Sequence, residues 1–215
     1  MYGLIQWFVK ITGWPVQFFA FRKKIYYENK KRQGRRIKGK AIIISNHQSL
    51  MDFPLIMYTF PLNTLRCQMA EVLYKKNFLL SFFLKIMGGI KVDRDARDFS
   101  FINKSLKILQ KGGIVEIFPE ARLPRLGEKR PLPFKVSAAY IALQSGAPVI
   151  PVYISGDYFG KKGMKVMVGT PIDVTQFYDS TLDEKQNLAA ISDKLRDRII
   201  WLKNELDEQT RGKEE

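Results

Sequence analysis

Short unbroken apolar runs punctuate the chain at Ala41–Ser45, Leu65–Ala70, Ile90–Val92, Ile114–Phe118, Val149–Ile154 and Met164–Val168. Runs of this length are too short for helices and too continuous for half-exposed strands, so they predict strands covered on both faces. Between them the apolar spacing changes to three and four. Phe53–Phe60, Leu73–Met87, Asp98–Gln110 and Phe134–Gln144 read as helices. In the third, Phe101, Ile102, Leu106 and Leu109 share a face, and Gly112-Gly113 stops it. A last helix, from about Asp183 to Glu208, spaces Leu188, Ile191, Leu195, Ile199, Leu202 and Leu206 by three and four and is amphipathic. Strands alternating with helices predict an α/β domain with a mixed, mostly parallel sheet flanked by helices.

The first 40 residues follow another pattern. Met1–Phe21 carries one charge, Lys10, and holds Tyr2, Trp7, Trp14, Phe18 and Phe19. It approaches the roughly 20 residues needed to span a bilayer, but Gln6, Gly13, Pro15 and Gln17 interrupt it. An interfacial or re-entrant helical anchor therefore fits better than a clean span, with a core helix of a soluble domain as the competing reading. A signal peptide would need its positive charge before the apolar stretch, and here the charge follows it. Residues 1–40 thus read as a membrane-anchoring helical segment with a basic flank, and residues 41–215 as one catalytic domain.

Composition adds one strong statement. Apolar residues at 46% and charged residues at 27% exclude wholesale disorder and a polytopic membrane protein. Thirty-six Lys and Arg against twenty-one Asp and Glu leave a net charge of +15, which calls for an anionic partner. Residues 22–40 concentrate it: Arg22, Lys23, Lys24, Lys30, Lys31, Arg32, Arg35, Arg36, Lys38 and Lys40 face one acid, Glu28. Beside an aromatic anchor, such a run favours an acidic lipid surface, each nearby cation contributing about 1 kcal/mol. On the positive-inside rule the flank lies on the cytoplasmic face of the cell membrane. The lone Cys67 supports neither a disulfide nor a metal cluster and reads as a buried small residue.

The candidate chemistry falls beyond strand ends, where sheets of this class build their sites. After the first strand comes Asn46-His47-Gln48-Ser49-Leu50-Met51-Asp52, with the only histidine in the protein. One histidine cannot build a polyhistidine metal site, but it can act as a general base if a carboxylate holds its other ring nitrogen. Five residues apart on one regular helix the two would diverge by about 140°. They can meet only with His47 in the loop and Asp52 near the first helical turn. Gly88-Gly89-Ile90-Lys91-Val92-Asp93-Arg94 then supplies a turn, a strand and two cations, of which Arg94 could hold phosphate or pair with a neighbouring acid. Glu116-Ile-Phe-Pro-Glu-Ala-Arg122 presents Glu120 and Arg122 beyond a proline turn, as ligands or as an ion pair. Gly146-Ala-Pro-Val-Ile-Pro-Val152 reads as a turn entering a buried strand.

In this order the four segments resemble the glycerolipid acyltransferases, the PlsC-like lysophosphatidic acid acyltransferases with their His-x4-Asp motif. The resemblance spans Ile42 to Pro151, about half the chain. It implies His47 as base and Asp52 as its orienter. It also implies Arg94 and Lys91 on the glycerol phosphate, Glu120 and Arg122 on the same head group, and Pro151 shaping the acyl side of the pocket. The co-substrate implied is an acyl thioester, acyl-CoA or acyl-ACP, with no other cofactor and no metal. Two departures stand out. The family shows Phe-Pro-Glu-Gly-Thr-Arg-Ser where this chain has Phe118-Pro-Glu-Ala-Arg-Leu-Pro124, and it carries lysines where this chain has Ala70-Glu71.

Direct attack of the lysolipid hydroxyl needs no acyl-enzyme, consistent with the absence of a Gly-x-Ser-x-Gly elbow. Partners expected are membrane lipids of an anionic surface and the acyl donor, and no nucleic acid. The rivals are a basic nucleic-acid-binding protein, a non-catalytic membrane scaffold and a phosphoester hydrolase. The first lacks a binding motif, and the last lacks a phosphate-cradling loop.

Overall fold

The structure is a computed structural model and describes residues 2–93 and 99–211. The chain opens with two helices, α1 (Tyr2–Thr12) and α2 (Trp14–Phe21), and enters the sheet through β1 (Lys24–Tyr27). β2 (Ala41–Ser45), α3 (Asp52–Thr59) and β3 (Leu65–Ala70) follow, then two short helices, α4 (Glu71–Lys76) and α5 (Phe78–Ile86). After β4 (Ile90–Val92) the order is α6 (Ser100–Gln110), β5 (Ile114–Ile117), α7 (Ser137–Ser145), β6 (Val149–Gly156), β7 (Met164–Val168) and α8 (Glu184–Arg211). The strands form one sheet in the order β1-β7-β6-β2-β5-β3-β4. Only the β6–β7 pair is antiparallel, so the sheet is mixed and mostly parallel, as the apolar runs predict.

β2 lies near the centre and all five of its residues are buried, because both faces are covered. Ile42 and Ile44 pack with Val115 and Ile117 of β5 against Leu109 of α6, Ile141 of α7 and the Ile191, Leu195, Ile199, Leu202 and Leu206 stripe of α8. Ala41 and Ile43 face the other way, into a cluster with Ile150, Val152 and the Leu55, Ile56 and Phe60 of α3, closed by Ala20 and Phe21 of α2.

Two elements differ from expectation. The single helix read over Leu73–Met87 is broken at Asn77, whose side chain accepts the Leu79 N–H (2.8 Å) and so caps the start of α5. And the basic flank is not outside the sheet: Lys24–Tyr27 is its edge strand, in parallel register with β7. Lys24, the exposed residue of this edge strand, places charge towards water, one of the ways edge strands avoid pairing with other chains.

The N-terminal helices are built inside out. Gln6, Lys10 and Gln17 are buried, while Leu4 (78% exposed), Phe8 (66%), Ile11 (69%) and Phe19 (74%) point outward. The polar residues that look like interruptions in the sequence are the inward face. The Gln6 amide donates to Met87 O (2.7 Å) and accepts the Leu65 N–H (2.9 Å), tying α1 to β3 and the end of α5. The Lys10 ammonium donates to the carbonyls of Pro61 (3.2 Å) and Asn63 just after α3, and burial lowers its pKa to about 8. At the α1–α2 corner a side chain on Gly13 would collide with the Tyr58 hydroxyl, which donates to Val9 O (3.0 Å). Among the described residues no helix is long and apolar enough to cross a membrane.

Candidate active site

The first loop of the domain leaves β2 at Ser45, and its course is fixed by Asn46. The Asn46 amide donates to Ile154 O (2.9 Å) and accepts the Ile154 N–H (2.8 Å), extending the β2–β6 pairing by one side chain. His47 follows, its backbone N–H donating to Glu120 Oε1 (2.8 Å) and its ring stacked on Phe118 with centroids 4.3 Å apart. Its Nδ1 lies 2.7 Å from Asp52 Oδ2, in the first turn of α3. The loop-then-helix geometry required by the five-residue spacing is present.

Asp52 is completely buried, yet four donors converge on it. Oδ2 accepts the N–H groups of Gln48 (2.7 Å) and Ser49 (2.9 Å), and Oδ1 accepts the Tyr158 hydroxyl (2.6 Å). Backbone N–H groups can only donate, so Asp52 sits here as the acceptor carboxylate, and the proton between it and the imidazole belongs to Nδ1. That leaves Nε2 with a free lone pair. Burial and the Asp52 charge push the Tyr158 phenol far up, so it stays a donor at any working pH. Tyr158 lies 106 residues from Asp52, and nothing local in the sequence marks it.

Of the other expected residues, Glu120 is placed as a clamp rather than a free ligand. Its Oε1 holds the His47 N–H and its Oε2 the Leu132 N–H (2.8 Å), with burial raising its pKa. Arg122 reaches the cavity described below and makes a bidentate pair with Glu128, both distances 2.7 Å. Lys91 pairs with Glu71 (2.6 Å), the acid found where the family carries lysine, and is not among the cavity's described lining. Arg94 lies outside the described residues. Pro151 corrects its expectation: a Cβ on Gly169 would touch both Pro151 Cγ and Leu202, so Pro151 faces α8. Its neighbours Ile150 and Val152 belong to the opposite face, as strand alternation requires.

Cys67 and Glu116 sit side by side on β3 and β5, both fully buried behind Asp52. The Glu116 carboxyl has no hydrogen-bond partner among the described residues, and burial, with the Asp52 charge second, holds it protonated well above the usual carboxylate range. Cys67 is likewise pushed up by burial and stays a thiol.

His47 opens onto a cavity of about 1150 Å³, above the usual ~300–1,000 Å³ of ligand pockets. Its walls are overwhelmingly apolar: Met57, Met69 and Phe118 near the histidine, Leu80, Phe83 and Leu84 from α5, and Val9, Val16 and Ala20 from α1 and α2. His47, Glu120 and Arg122 are among its polar lining groups, with Gln17, Gln68, Asp93 and Lys135. The arrangement suits a long apolar chain whose reactive end lies under a general base.

Residues 23–155 match the family model described as Acyltransferase. The chain is 36% identical over 145 residues to a 1-acyl-sn-glycerol-3-phosphate acyltransferase of Bacillus subtilis, covering 65% of this chain and 70% of that one. A protein of the same name from Limnanthes alba is 30% identical over 141 residues, covering 64% of this chain and about half, 49%, of its own length. Among solved structures, the 1-acyl-sn-glycerophosphate acyltransferase PlsC from Thermotoga maritima shares the fold, with a TM-score of 0.58 at 22% identity over 85% of this chain and 73% of that one.

Proposed function

The chain belongs to the acyltransferase family, and from that premise we propose that it moves a fatty acyl group from an acyl thioester to the free hydroxyl of 1-acyl-sn-glycerol-3-phosphate, giving phosphatidic acid. The observation that carries the reading is the His47–Asp52 pair opening onto a large, mostly apolar cavity. His47 Nε2 takes the hydroxyl proton as the oxygen attacks the thioester carbonyl. Asp52, held by Tyr158 and two backbone N–H groups, stabilises the imidazolium. Collapse of the tetrahedral intermediate breaks the carbon–sulfur bond, and the imidazolium returns the proton to the departing thiolate. Arg122, with Arg94, holds the acceptor phosphate; Glu128 marks where an anion docks on the Arg122 fork. The donor is acyl-CoA or acyl-ACP.

The same proposal places the enzyme on the cytoplasmic face of the cell membrane. A helix that buries Gln6 and Lys10 and exposes Leu4, Phe8 and Ile11 reverses the arrangement that water selects, and an apolar leaflet is the solvent that suits it. Purified full-length protein in detergent, given a labelled acyl thioester and lysophosphatidic acid, should yield labelled phosphatidic acid. If thioester is consumed without a labelled lipid appearing, the acceptor assignment is wrong.

A further inference from the structure

The strongly apolar helix α5 leaves its apolar face unpacked. Seven of the nine residues of α5 are apolar, and none is fully buried. Phe78 is 82% exposed, Leu79 72%, Phe82 55% and Phe83 43%, with Val72 of α4 adding 66% beside them. Scattered apolar residues on a surface need no explanation, but a continuous face of this kind marks an interaction site. Three observations identify what covers it. Lys75 and Lys76 precede the face and Lys85 follows it, so apolar tips are flanked by cations, the order of groups met on going from a leaflet's interior to its acidic head groups. The end of α5 also lies beside α1, whose apolar side chains face outward: Gln6 is bonded to Met87, and the Arg66 guanidinium stacks on Tyr2 while donating to Gly88 O (2.5 Å). Finally, α1, α2, α4 and α5 all contribute residues to the cavity lining.

We propose that α5 is a second bilayer contact of this protein, inserting Phe78, Leu79 and Phe82 into an anionic leaflet beside the cavity that α5 helps to line. The inference rests on the membrane reading of α1 and α2 but names a separate element. A second copy of this chain would instead bring its own Lys75, Lys76 and Lys85 against these, and like charges oppose that pairing.

A fluorophore sensitive to polarity, attached to Phe82→Cys in the full chain, tests it. Cys67 is fully buried and leaves the new thiol as the reactive one, and Lys203→Cys on the exposed side of α8 serves as control. With vesicles of phosphatidylcholine and phosphatidylglycerol, the label at residue 82 should shift to the blue and be quenched by brominated acyl chains, while the label at 203 does neither. A protein that floats with vesicles yet keeps a water-like label at 82 overturns the α5 contact and leaves the α1–α2 anchor standing. A protein that does not float at all overturns both. A blue shift without vesicles that grows with protein concentration assigns the face to a second copy and also overturns the proposal.

Discussion

The catalytic corner and the outer helices obey opposite rules. At the His47 end every polar atom of Asp52 is partnered, Glu120 staples two loops through backbone N–H groups, and rings pack face to face. This is how a protein interior holds polar groups: buried, and hydrogen-bonded. At the rim the order is reversed, with Gln6 and Lys10 inside and Phe8, Ile11, Phe78 and Leu79 outside. Water drives the first arrangement and penalises the second. On the proposed membrane reading, two solvents shaped one fold, the chemistry being assembled where the protein excludes water and the outer faces of α1 and α5 where lipid replaces it.

The comparison breaks most visibly at the corner. His47→Ala should lower the turnover rate by about 10²–10⁴-fold, because the chain has no second histidine to act as base. Vesicle binding should not change, and the fold should stay intact because Tyr158 and two backbone N–H groups still hold Asp52. Steady-state rates beside a flotation assay decide it; activity within threefold of the parent removes His47 from the mechanism.

At the rim the effects should be of the other kind. Phe8→Ser with Ile11→Ser removes two side chains, each contributing at least about 1.5 kcal/mol when buried, so partition into neutral vesicles should fall by roughly 10²-fold. Turnover of acceptor in detergent micelles should hold. Because the contribution is hydrophobic, it should resist 1 M salt, unlike the part supplied by the Arg22–Lys40 cations, for which the screening length falls to about 3 Å. Equal binding of the variant and the parent would return α1 to the status of an ordinary surface helix.

Arg122 stands between the two regions, lining the cavity yet 44% exposed. Arg122→Ala should raise the KM for the lysolipid about 10–150-fold, the loss of one charge-assisted contact, and leave that for the thioester nearly unchanged. If both constants rise together, the arginine is structural and its role ends with Glu128. Within the corner, Tyr158→Phe removes one of four donors to Asp52 and should slow turnover about tenfold, with no change in either KM. A parent-like rate would mean that the backbone N–H groups suffice to hold the carboxylate.

Much of the corner was legible because it is local. Continuous apolar runs such as Ala41–Ser45 need a sheet covered on both faces, and a histidine and an aspartate five apart can meet only across a loop and a helix start. Tyr158 was not legible, since the contact joins residues 106 apart and no pattern around it differs from a surface turn. The break at Asn77 was hidden by the apolar spacing on either side, although an asparagine there is itself a capping signal. β1 was masked by the charge run that contains it. Gln6 and Gln17 read in the sequence as breaks in an apolar stretch, whereas they are the buried face of α1 and α2, which only partners distant in the chain decide.

The smallest expected effect lies at a strained turn of the corner. Ala121 adopts φ +61°, a left-handed conformation, immediately after the Glu120 clamp, and its N–H donates to Phe118 O (3.0 Å) to close the turn. The family pattern has glycine at this position, and the geometry explains why: a Cβ there costs about 1–2 kcal/mol, which glycine avoids. Part of that gain is lost because glycine makes the unfolded chain more flexible, by about 0.4–1 kcal/mol. Ala121→Gly should therefore raise stability by roughly 0.5–1 kcal/mol, a rise in Tm of about 1–4 °C for a chain of this size. His47 and Glu120 keep their partners, so turnover should stay within twofold of the parent. A fall in Tm would show that the Ala121 methyl contributes packing worth more than the strain, and that the corner is adapted around the alanine it carries.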